Sequence, residues 1–221
     1  MTHADNHNIL YPLQHGFRKN RSCETQLLEF IDDVTKNMEN SLQTDVLIMD
    51  FSKAFDQVSH NLLTHKLHYN GIQGKANTWI HNFLSNRTQA VLLEGEASYY
   101  ISVMSGVPQD SVLGPSLFLF YIPDIPDGIT STVRLFADDT IAYLTIKTNR
   151  NCTTLQNDLD KLSIWEQKWK IAFHPDKCNV LSITRNKTPL KYSYMDTNLN
   201  MQIKPTILVS LYNRILNGIA I

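Results

Sequence analysis

Residues 132–146, TVRLFADDTIAYLTI, decide how the rest of this chain is interpreted. Apolar and β-branched residues dominate on both sides of Asp138-Asp139. This pattern predicts two strands joined in a hairpin, with both carboxylates at its tip. Adjacent like charges raise one another's pKa unless a cation neutralises them, so the tip favours a metal ion. An Asp-Asp pair in a turn also commonly bonds to its local backbone, and for the pair alone this alternative stays open.

A second apolar stretch, VLIMDF at residues 46–51, is typical of a buried central strand. Asp50 stands at its end, where a buried carboxylate has to be protonated, paired or bound to a metal. A helix cap or an ion pair is the ordinary alternative for a lone aspartate at this place. Three carboxylates at the ends of neighbouring strands would favour a divalent cation, and Mg²⁺ is the natural choice for hard oxygen ligands.

Helices and further short strands are predicted around these two segments. The helices cover residues 22–40 (with Ser22 as N-cap), 60–69, 75–85 (with Trp79, Ile80 and Phe83 on one face), 113–122 and 151–172. The further strands cover residues 88–95, 98–106 and 178–185. After about residue 188 the pattern weakens, and no element is predicted there.

The composition is that of a soluble globular protein. With 221 residues, 43% hydrophobic and 19% charged, the chain can bury a core. No stretch approaches the roughly 20 apolar residues that span a membrane. The N-terminal sequence MTHADNHNILYP lacks the apolar region of a signal peptide, so we expect an intracellular protein of the nucleus or cytoplasm that is not secreted. The three cysteines form no CxxC pair, and we expect free thiols.

The formal net charge of −1 at pH 7 does not by itself indicate nucleic-acid binding, because phosphate contacts usually need a basic surface. A nucleic-acid binder of this charge would have its basic residues clustered locally or would lack the parts that grip the duplex. The histidines do not suggest a metal site either. His65 and His68 share a predicted helical face, but no cysteine or carboxylate at ligand spacing accompanies them.

Four segments together resemble a known family. QHGFRKNRSCETQLL (14–28) resembles the fingers motif of reverse transcriptases, and DVLIMDFSKAFDQVSH (45–60), SGVPQDSVLGPSLF (105–118) and LFADD (135–139) resemble their motifs A, B and C. The segments occur in the family's order, and their wording is most similar to non-LTR (LINE-type, jockey-like) retrotransposons. The resemblance covers about residues 10–185, and four ordered motifs are far more specific than an isolated FADD.

The resemblance implies an RNA-directed DNA polymerase that adds deoxynucleoside triphosphates to the 3′-hydroxyl of a DNA primer on an RNA template. Asp50 and Asp138 would coordinate two Mg²⁺ ions, with Mn²⁺ as an alternative, and Asp139 would be a secondary ligand. The backbone carbonyl of Phe51 would complete the metal on the triphosphate side. One ion would lower the pKa of the primer hydroxyl, and the other would hold the triphosphate and the leaving pyrophosphate.

The resemblance also implies nucleotide contacts at four further positions, with Arg21 close to one of them. Arg18 would contact the triphosphate, since its planar fork binds phosphate bidentately, and Arg21 could assist or simply be solvated. Phe55 would exclude a 2′-hydroxyl as a steric gate, or it could be an ordinary core aromatic. Gln109 would lie beside the nucleotide and template. Lys177 would protonate the pyrophosphate, or it could be an exposed lysine at a turn.

The resemblance implies an α+β fold, namely a polymerase palm whose helices back an antiparallel sheet, with a partial fingers lobe. We expect residues 1–44 to form a partial fingers segment and residues 45–185 to form the palm with fingers insertions. Residues 186–221 remain an unassigned tail, and no thumb is recognisable in the sequence. The helix at 151–172 should pack against the sheet.

Position 110 departs from the family, whose motif B has glycine where this chain has Asp110. Glycine permits close backbone approach and unusual dihedral angles, so we hypothesise that Asp110 weakens activity. The main alternative function is a non-catalytic, truncated relic of a retrotransposon polymerase. An RNA-dependent RNA polymerase would usually have GDD and no aromatic residue at position 55. A binding module would leave the four ordered motifs as coincidence.

Overall fold

The computed structural model describes residues 2–184, 191–195 and 197–204. The chain divides into two compact units. The sheet unit contains residues 11–52, 124–168 and the described residues from 172 onwards, and the helical unit contains the residues up to Leu10, 53–123 and 169–171. Within the described ranges, no helix combines the length and the apolar character needed to cross a lipid bilayer.

Six α-helices are assigned in the described residues. They are α1 (Thr2–Asn6), α2 (Cys23–Glu39), α3 (His60–Tyr69), α4 (Gly74–Leu84), α5 (Gly114–Tyr121) and α6 (Asn149–Trp169), and a turn of 3-10 helix covers Pro175–Lys177. The strands are β1 (Gln43–Met49), β2 (Thr88–Gln89), β3 (Leu92–Leu93), β4 (Glu96–Ala97), β5 (Ile101–Ser102), β6 (Thr132–Phe136), β7 (Asp139–Ile146), β8 (Asn179–Ile183), β9 (Ser193–Tyr194), β10 (Thr197–Asn198) and β11 (Asn200–Lys204).

The sheet unit is built on five strands in the order β11-β8-β1-β7-β6. β1 lies in the centre and pairs antiparallel with both β7 and β8, while β6 and β7 form the predicted hairpin. Val46 and Leu47 in β1 are fully buried, as a continuous apolar run requires when both faces of a strand are covered. The predicted central strand and the predicted hairpin are therefore confirmed.

One face of this sheet is covered by α2. Ser22 and Thr25 form a reciprocal capping box that satisfies backbone N–H groups at the start of the helix. Further along α2, Phe30 and Val34 are fully buried in one cluster with Val46, Ile141, Tyr143, Leu181 and Ile183 of the sheet. The rings of Phe30 and Tyr143 meet edge to face, with centroids 5.1 Å apart. The predicted helix at 22–40 and its cap are confirmed.

The helix α6 buries the face that its sequence predicts, with Leu155, Leu159 and Leu162 at no exposure. It ends at Trp169, three residues before the predicted end. Trp165 lies beside Phe51, with ring centroids 6.1 Å apart, so the helix reaches the segment that follows β1.

The helical unit differs from the prediction in two places. In α4, Trp79 is 57% exposed and stacks on Phe83, whereas Asn77 is buried. The Asn77 amide donates to the carbonyls of Thr64 and Ile72, at 3.0 and 2.9 Å. The buried side of α4 therefore includes Asn77 and not Trp79, unlike the face that the aromatic residues predict.

The second difference concerns the two strands predicted at residues 88–95 and 98–106. The structure forms two separate two-residue ladders instead, β2 with β5 and β3 with β4. All four strands are exposed, so no packed layer extends the pairing further.

The segment predicted as an unassigned tail contributes to the sheet unit. Strand β11 pairs in parallel with β8 and forms the edge of the sheet. Before it, the buried side chains of Tyr192 and Tyr194 reach carboxylates of the sheet unit. Residues 185–190, 196 and 205–221 of the predicted tail and its border lie outside the described residues.

Candidate active site

The strand register brings the three aspartates to one end of the sheet. The β1–β7 ladder ends with the pair Met49 and Thr140. One position beyond this pair, Asp50 follows β1 and Asp139 begins β7. Asp138 occupies the hairpin turn that the pair Phe136–Asp139 closes. The register therefore places Asp50 at the same end of the sheet as the two aspartates of the hairpin tip, and their joint role in metal binding stays a prediction.

The electrostatics of this cluster reflect excess negative charge. Burial, together with the neighbouring negative charges of Asp138 and Asp50, raises the pKa of Asp139 to about 7, and the charge of Lys177 opposes this shift. Burial also raises the pKa of Asp138, and the charge of Asp50 adds to the effect, while a backbone hydrogen bond and the charge of Lys177 oppose it. Carboxyl groups whose pKa values are raised by burial and by neighbouring negative charge, as those of Asp138 and Asp139 are, favour a nearby cation.

Lys177 supplies the nearest fixed positive charge. Its Nζ lies 2.8 Å from Oδ2 of Asp50, and the bond raises the pKa of Lys177. The lysine side chain is 58% exposed, whereas the Asp50 side chain is 33% exposed. Lys177 ends the short 3-10 helix before β8, and that turn directs it to Asp50. Its family role was expected from the sequence, but this ion pair was not.

The backbone around Asp50 is held by the segment that precedes this turn. Phe51 and Phe173 form an isolated antiparallel bridge, and their rings stack with centroids 4.1 Å apart. The N–H of His174 donates to the Asp50 carbonyl at 2.7 Å, and the N–H of Ser52 donates to the Ala172 carbonyl at 2.8 Å. The turn after β1 is thus fixed on both sides of Phe51.

A buried carboxylate supports this segment from α6. Glu166 accepts a hydrogen bond from the N–H of Phe173 at 2.5 Å and a second one from the hydroxyl of Tyr194. Burial raises the pKa of Glu166. Sequence reasoning missed this residue because its partners lie 7 and 28 positions away and no motif marks them.

The fingers-motif segment contacts the hairpin directly. Gln14 forms a parallel bridge with Leu135 of β6, the His15 N–H donates to the Leu135 carbonyl at 2.8 Å, and the Leu135 N–H donates to the Leu13 carbonyl at 3.1 Å. The edge of β6 is therefore covered by this segment rather than left exposed.

The two arginines of the fingers motif bond to their own loop. Arg18 donates to the Tyr11 carbonyl at 3.4 Å, and Arg21 donates to the Pro12 carbonyl. Both guanidinium groups are part of the sheet unit, as are the three aspartates and Lys177. Their predicted contact with a triphosphate stays a prediction.

Phe55 and Gln109 belong to the helical unit, where the end of motif A meets motif B. The Val107 N–H donates to the Phe55 carbonyl at 2.9 Å, and the Gln109 amide donates to the Asp56 carboxylate at 3.2 Å. The Phe55 ring stacks on Phe118 with centroids 4.7 Å apart, and it remains partly exposed. The structure thus pairs the two segments, while the steric gate and the nucleotide contact stay predictions.

A glycine explains how these two segments approach so closely. Gly106 has φ +91°, and a Cβ there would lie 2.9 Å from the Cα of Asp56. Asp110, further along motif B, has φ 53°, in the left-handed region that glycine adopts without steric cost. The backbone at position 110 therefore has a conformation that favours glycine, but the residue there is a charged aspartate.

The chemistry of the donors suits a hard divalent cation, because the carboxylates of Asp50, Asp138 and Asp139 offer only acceptor oxygens once they are ionised. Among the residues that the structure describes, no group of three or more histidine, cysteine, aspartate or glutamate side chains is arranged to hold a metal ion. In this arrangement Asp50 is paired with Lys177. Metal binding at these carboxylates would require the lysine to yield its place.

The sequence of this chain is similar to those of known polymerases. A family model described as reverse transcriptase (RNA-dependent DNA polymerase) matches residues 1–198. The RNA-directed DNA polymerase from mobile element jockey of Drosophila melanogaster is 29% identical over 174 residues, which are 75% of this chain and 19% of that protein. The probable RNA-directed DNA polymerase from transposon X-element of the same species is 28% identical over 189 residues, 80% of this chain and 20% of that protein. The chain spans about a fifth of the length of these curated relatives.

Two solved structures share the fold. An apo telomerase from Candida tropicalis, truncated from its C-terminal domain, has a TM-score of 0.57 and 12% identity, covering 90% of this chain and 42% of that one. A telomerase from Candida albicans in complex with a TWJ fragment of telomeric RNA has a TM-score of 0.54 and 12% identity, covering 80% and 33%. The predicted α+β polymerase palm with a partial fingers lobe is confirmed, as is the resemblance to polymerases of non-LTR elements. This chain belongs to the reverse transcriptase family.

Proposed function

We propose that this chain is the nucleotidyl-transfer core of an RNA-directed DNA polymerase, which adds deoxynucleotides to a primer 3′-hydroxyl on an RNA template. The observation that carries the proposal is the meeting of Asp50, Asp138 and Asp139 at one end of the β1–β7 ladder. Family membership and the similarity to polymerases of mobile elements support the reaction class. RNA template, DNA primer and deoxynucleoside triphosphates are the proposed partners.

Four groups of this chain would hold two Mg²⁺ ions, or Mn²⁺ in their place. Asp50 and Asp138 would be the main ligands, with Asp139 and the Phe51 carbonyl as further donors. When bound, the ions would activate the primer hydroxyl and neutralise charge on the triphosphate and the leaving pyrophosphate. Asp139 would have to lose its proton on metal binding, because its raised pKa keeps it partly protonated near neutral pH.

Lys177 has two tasks in this proposal. Its ammonium neutralises Asp50 when no metal is bound, at an N–O distance of 2.8 Å. Because its pKa is raised, it stays protonated at neutral pH and can donate a proton to the pyrophosphate once Asp50 binds metal. Its half-exposed side chain can turn between the two tasks without disturbing the core.

The remaining contacts would set nucleotide binding. On nucleotide binding, Arg18 and Arg21 would leave the carbonyls of their own loop and bond to phosphate oxygens. Hydrogen bonds from a guanidinium to a charged phosphate are stronger than those to a neutral carbonyl. Phe55 would lie against the sugar as a steric gate, and Gln109 beside the base pair. Residues 45–185 would act as the palm and residues 1–44 as a fingers segment.

Primer extension on an RNA template tests the proposal. Purified chain, a DNA primer, deoxynucleoside triphosphates and Mg²⁺ should give extension that chelation abolishes. Asp138→Asn should remove it, because the substitution takes away an anionic metal ligand, whereas Asp127→Asn changes an exposed aspartate outside the cluster and should leave it intact.

The outcome also separates the proposal from its alternative. A folded protein that extends no primer would contradict the proposal and favour a non-catalytic relic, for which the charged side chain of Asp110 in a glycine conformation is the specific observation. Extension that persists without divalent metal, or in Asp138→Asn, would contradict the proposed site while leaving family membership untouched.

A further inference from the structure

We propose that Gln14 and Gly16 are positioning residues that lock the turn before Asp138 and so preset the carboxylate cluster for metal. The inference rests on the proposed function, since it assigns these residues a task in the same site. Neither residue reaches a carboxylate oxygen in the hydrogen bonds of the described residues. Both contact the backbone of Ala137, the residue directly before Asp138.

Gln14 holds both polar groups of Ala137. Its Oε1 accepts from the Ala137 N–H at 2.9 Å, and its Nε2 donates to the Ala137 carbonyl at 3.1 Å. The same Oε1 also accepts from the Gly16 N–H at 2.7 Å. Gln14 is only 2% exposed, so water does not compete for these bonds.

The orientation of the amide follows from its partners. The N–H groups of Ala137 and Gly16 can only donate, so the atom between them has to be the oxygen. The carbonyl of Ala137 can only accept, so the atom facing it has to be the nitrogen. The glutamine amide carries an acceptor and a donor on the same carbon, so it can bond to both N–H groups and to the carbonyl. An apolar side chain of the same size could form none of these three hydrogen bonds.

Ala137 needs this support because its backbone is strained. It has φ 53°, the left-handed region in which an L-residue brings its Cβ too close to a carbonyl. Such a conformation persists only where the surroundings enforce it, and these places cluster at functional sites. The two hydrogen bonds from Gln14 stabilise this conformation of Ala137, whose ψ angle sets the direction in which the chain continues to Asp138.

Gly16 makes the contact possible. A Cβ at this position would lie 2.0 Å from the backbone nitrogen of Ala137 and 2.7 Å from its Cα. Since both atoms belong to the backbone, no side chain can move aside to relieve the clash. A residue larger than glycine would push the fingers-motif segment away from the hairpin and open the bonds of Gln14.

Fixing Ala137 has a direct consequence for the carboxylates. Asp138 and Asp139 repel each other and are partly buried, so a turn without support would relax by moving them apart. The hydrogen bonds between Gln14 and the backbone of Ala137 would hold Asp138 and Asp139 in place before a metal binds. Residues that orient metal ligands without touching the metal have this role in other metal sites.

Titration with Mn²⁺, monitored by its electron paramagnetic resonance signal, tests this on the full chain. Gln14→Met keeps the volume of the side chain and removes all three hydrogen bonds. We expect it to weaken Mn²⁺ binding by about tenfold or more, the usual cost of losing such support. The matched control is Tyr192→Phe, which removes a buried bond of 2.7 Å to Asp45 in the same unit. It should lower stability as well but leave Mn²⁺ affinity within twofold.

The possible results separate the two levels of the proposal. Equal Mn²⁺ affinity in wild type and Gln14→Met overturns the positioning role alone. No Mn²⁺ binding by folded wild-type protein overturns both this inference and the proposed function. If Gln14→Met does not fold, amide hydrogen exchange on the wild-type protein tests the proposal instead. The Ala137 amide should then exchange as slowly as the amides paired within β7. Rapid exchange of this amide would overturn the positioning role of Gln14.

Discussion

The ammonium of Lys177 lies 2.8 Å from the carboxylate of Asp50, which is one of the proposed metal ligands, so the lysine would compete with a metal for this carboxylate. Lys177→Met should remove this competition and tighten Mg²⁺ binding by about two- to fivefold, because an exposed ion pair contributes less than about 1 kcal/mol. Primer extension should slow in the same variant if Lys177 also donates a proton. Lys147→Met, at an exposed lysine after β7, serves as the control for loss of positive charge. Weaker Mg²⁺ binding in Lys177→Met would contradict the competition.

Metal-free protein should lose stability as the pH rises. The pKa of Asp139 is raised from 3.8 to about 7, so the folded state binds a proton that the unfolded chain has already released. The stabilisation is therefore fully present below about pH 4 and disappears as the pH passes 7. Urea unfolding at several pH values should reveal this fall, and Mg²⁺ should restore stability above pH 7 by neutralising the carboxylates. A slope that is unchanged in Asp139→Asn would show that another group is responsible.

Asp110→Gly should raise both stability and activity. Removing a side chain at φ 53° relieves about 1 kcal/mol of backbone strain, and it takes a negative charge away from motif B. Asp110→Asn separates the two effects, since it removes the charge and keeps the strain. Asn8→Gly is the matched control, because Asn8 has φ 50° in another exposed turn and should gain stability only. Primer extension that is no faster in Asp110→Gly would refute the hypothesis about this position.

Phe55→Val should relax the choice of sugar if the ring acts as a steric gate. We expect incorporation of ribonucleotides to increase at least tenfold relative to deoxynucleotides, measured as the ratio of kcat/KM values. The stacking partner Phe118 provides the comparison, because Phe118→Val removes the same 4.7 Å ring contact from the core side. If both variants lose stability and neither changes sugar selectivity, Phe55 is an ordinary core aromatic.

The central parts of the fold and site follow from local patterns. An apolar run ending in Asp50 and an apolar hairpin around Asp138 and Asp139 predict buried strands with carboxylates at their ends. Once such strands pair antiparallel in register, these ends coincide, and the structure has this register. The helix α2 is equally local, because its cap and its apolar period lie within one stretch of sequence.

The supporting contacts could not be predicted in the same way. Gln14 reaches a residue 123 positions away, and Glu166 bonds to Tyr194 across a segment with no periodic pattern. A polar side chain looks alike in the sequence whether it is solvated or buried against a distant backbone. The pairing of β11 with β8 was missed because a five-residue strand has too little pattern to stand out. Its alternation of polar and apolar residues, NMQIK, was the available signal.

The central position of β1 also governs when this protein can fold during synthesis. Thr44 pairs with Thr145 on one side and with Ile183 on the other, and Ile183 is 139 positions further along the chain. Pairings so distant in sequence are slow to form, and until then the apolar strand has no partner. The ribosome has to release nearly all of the polymerase motifs before the sheet can close. Nascent chains that stop before β8 should therefore aggregate or depend on chaperones, and a shortened copy of the gene ending there would yield no stable palm.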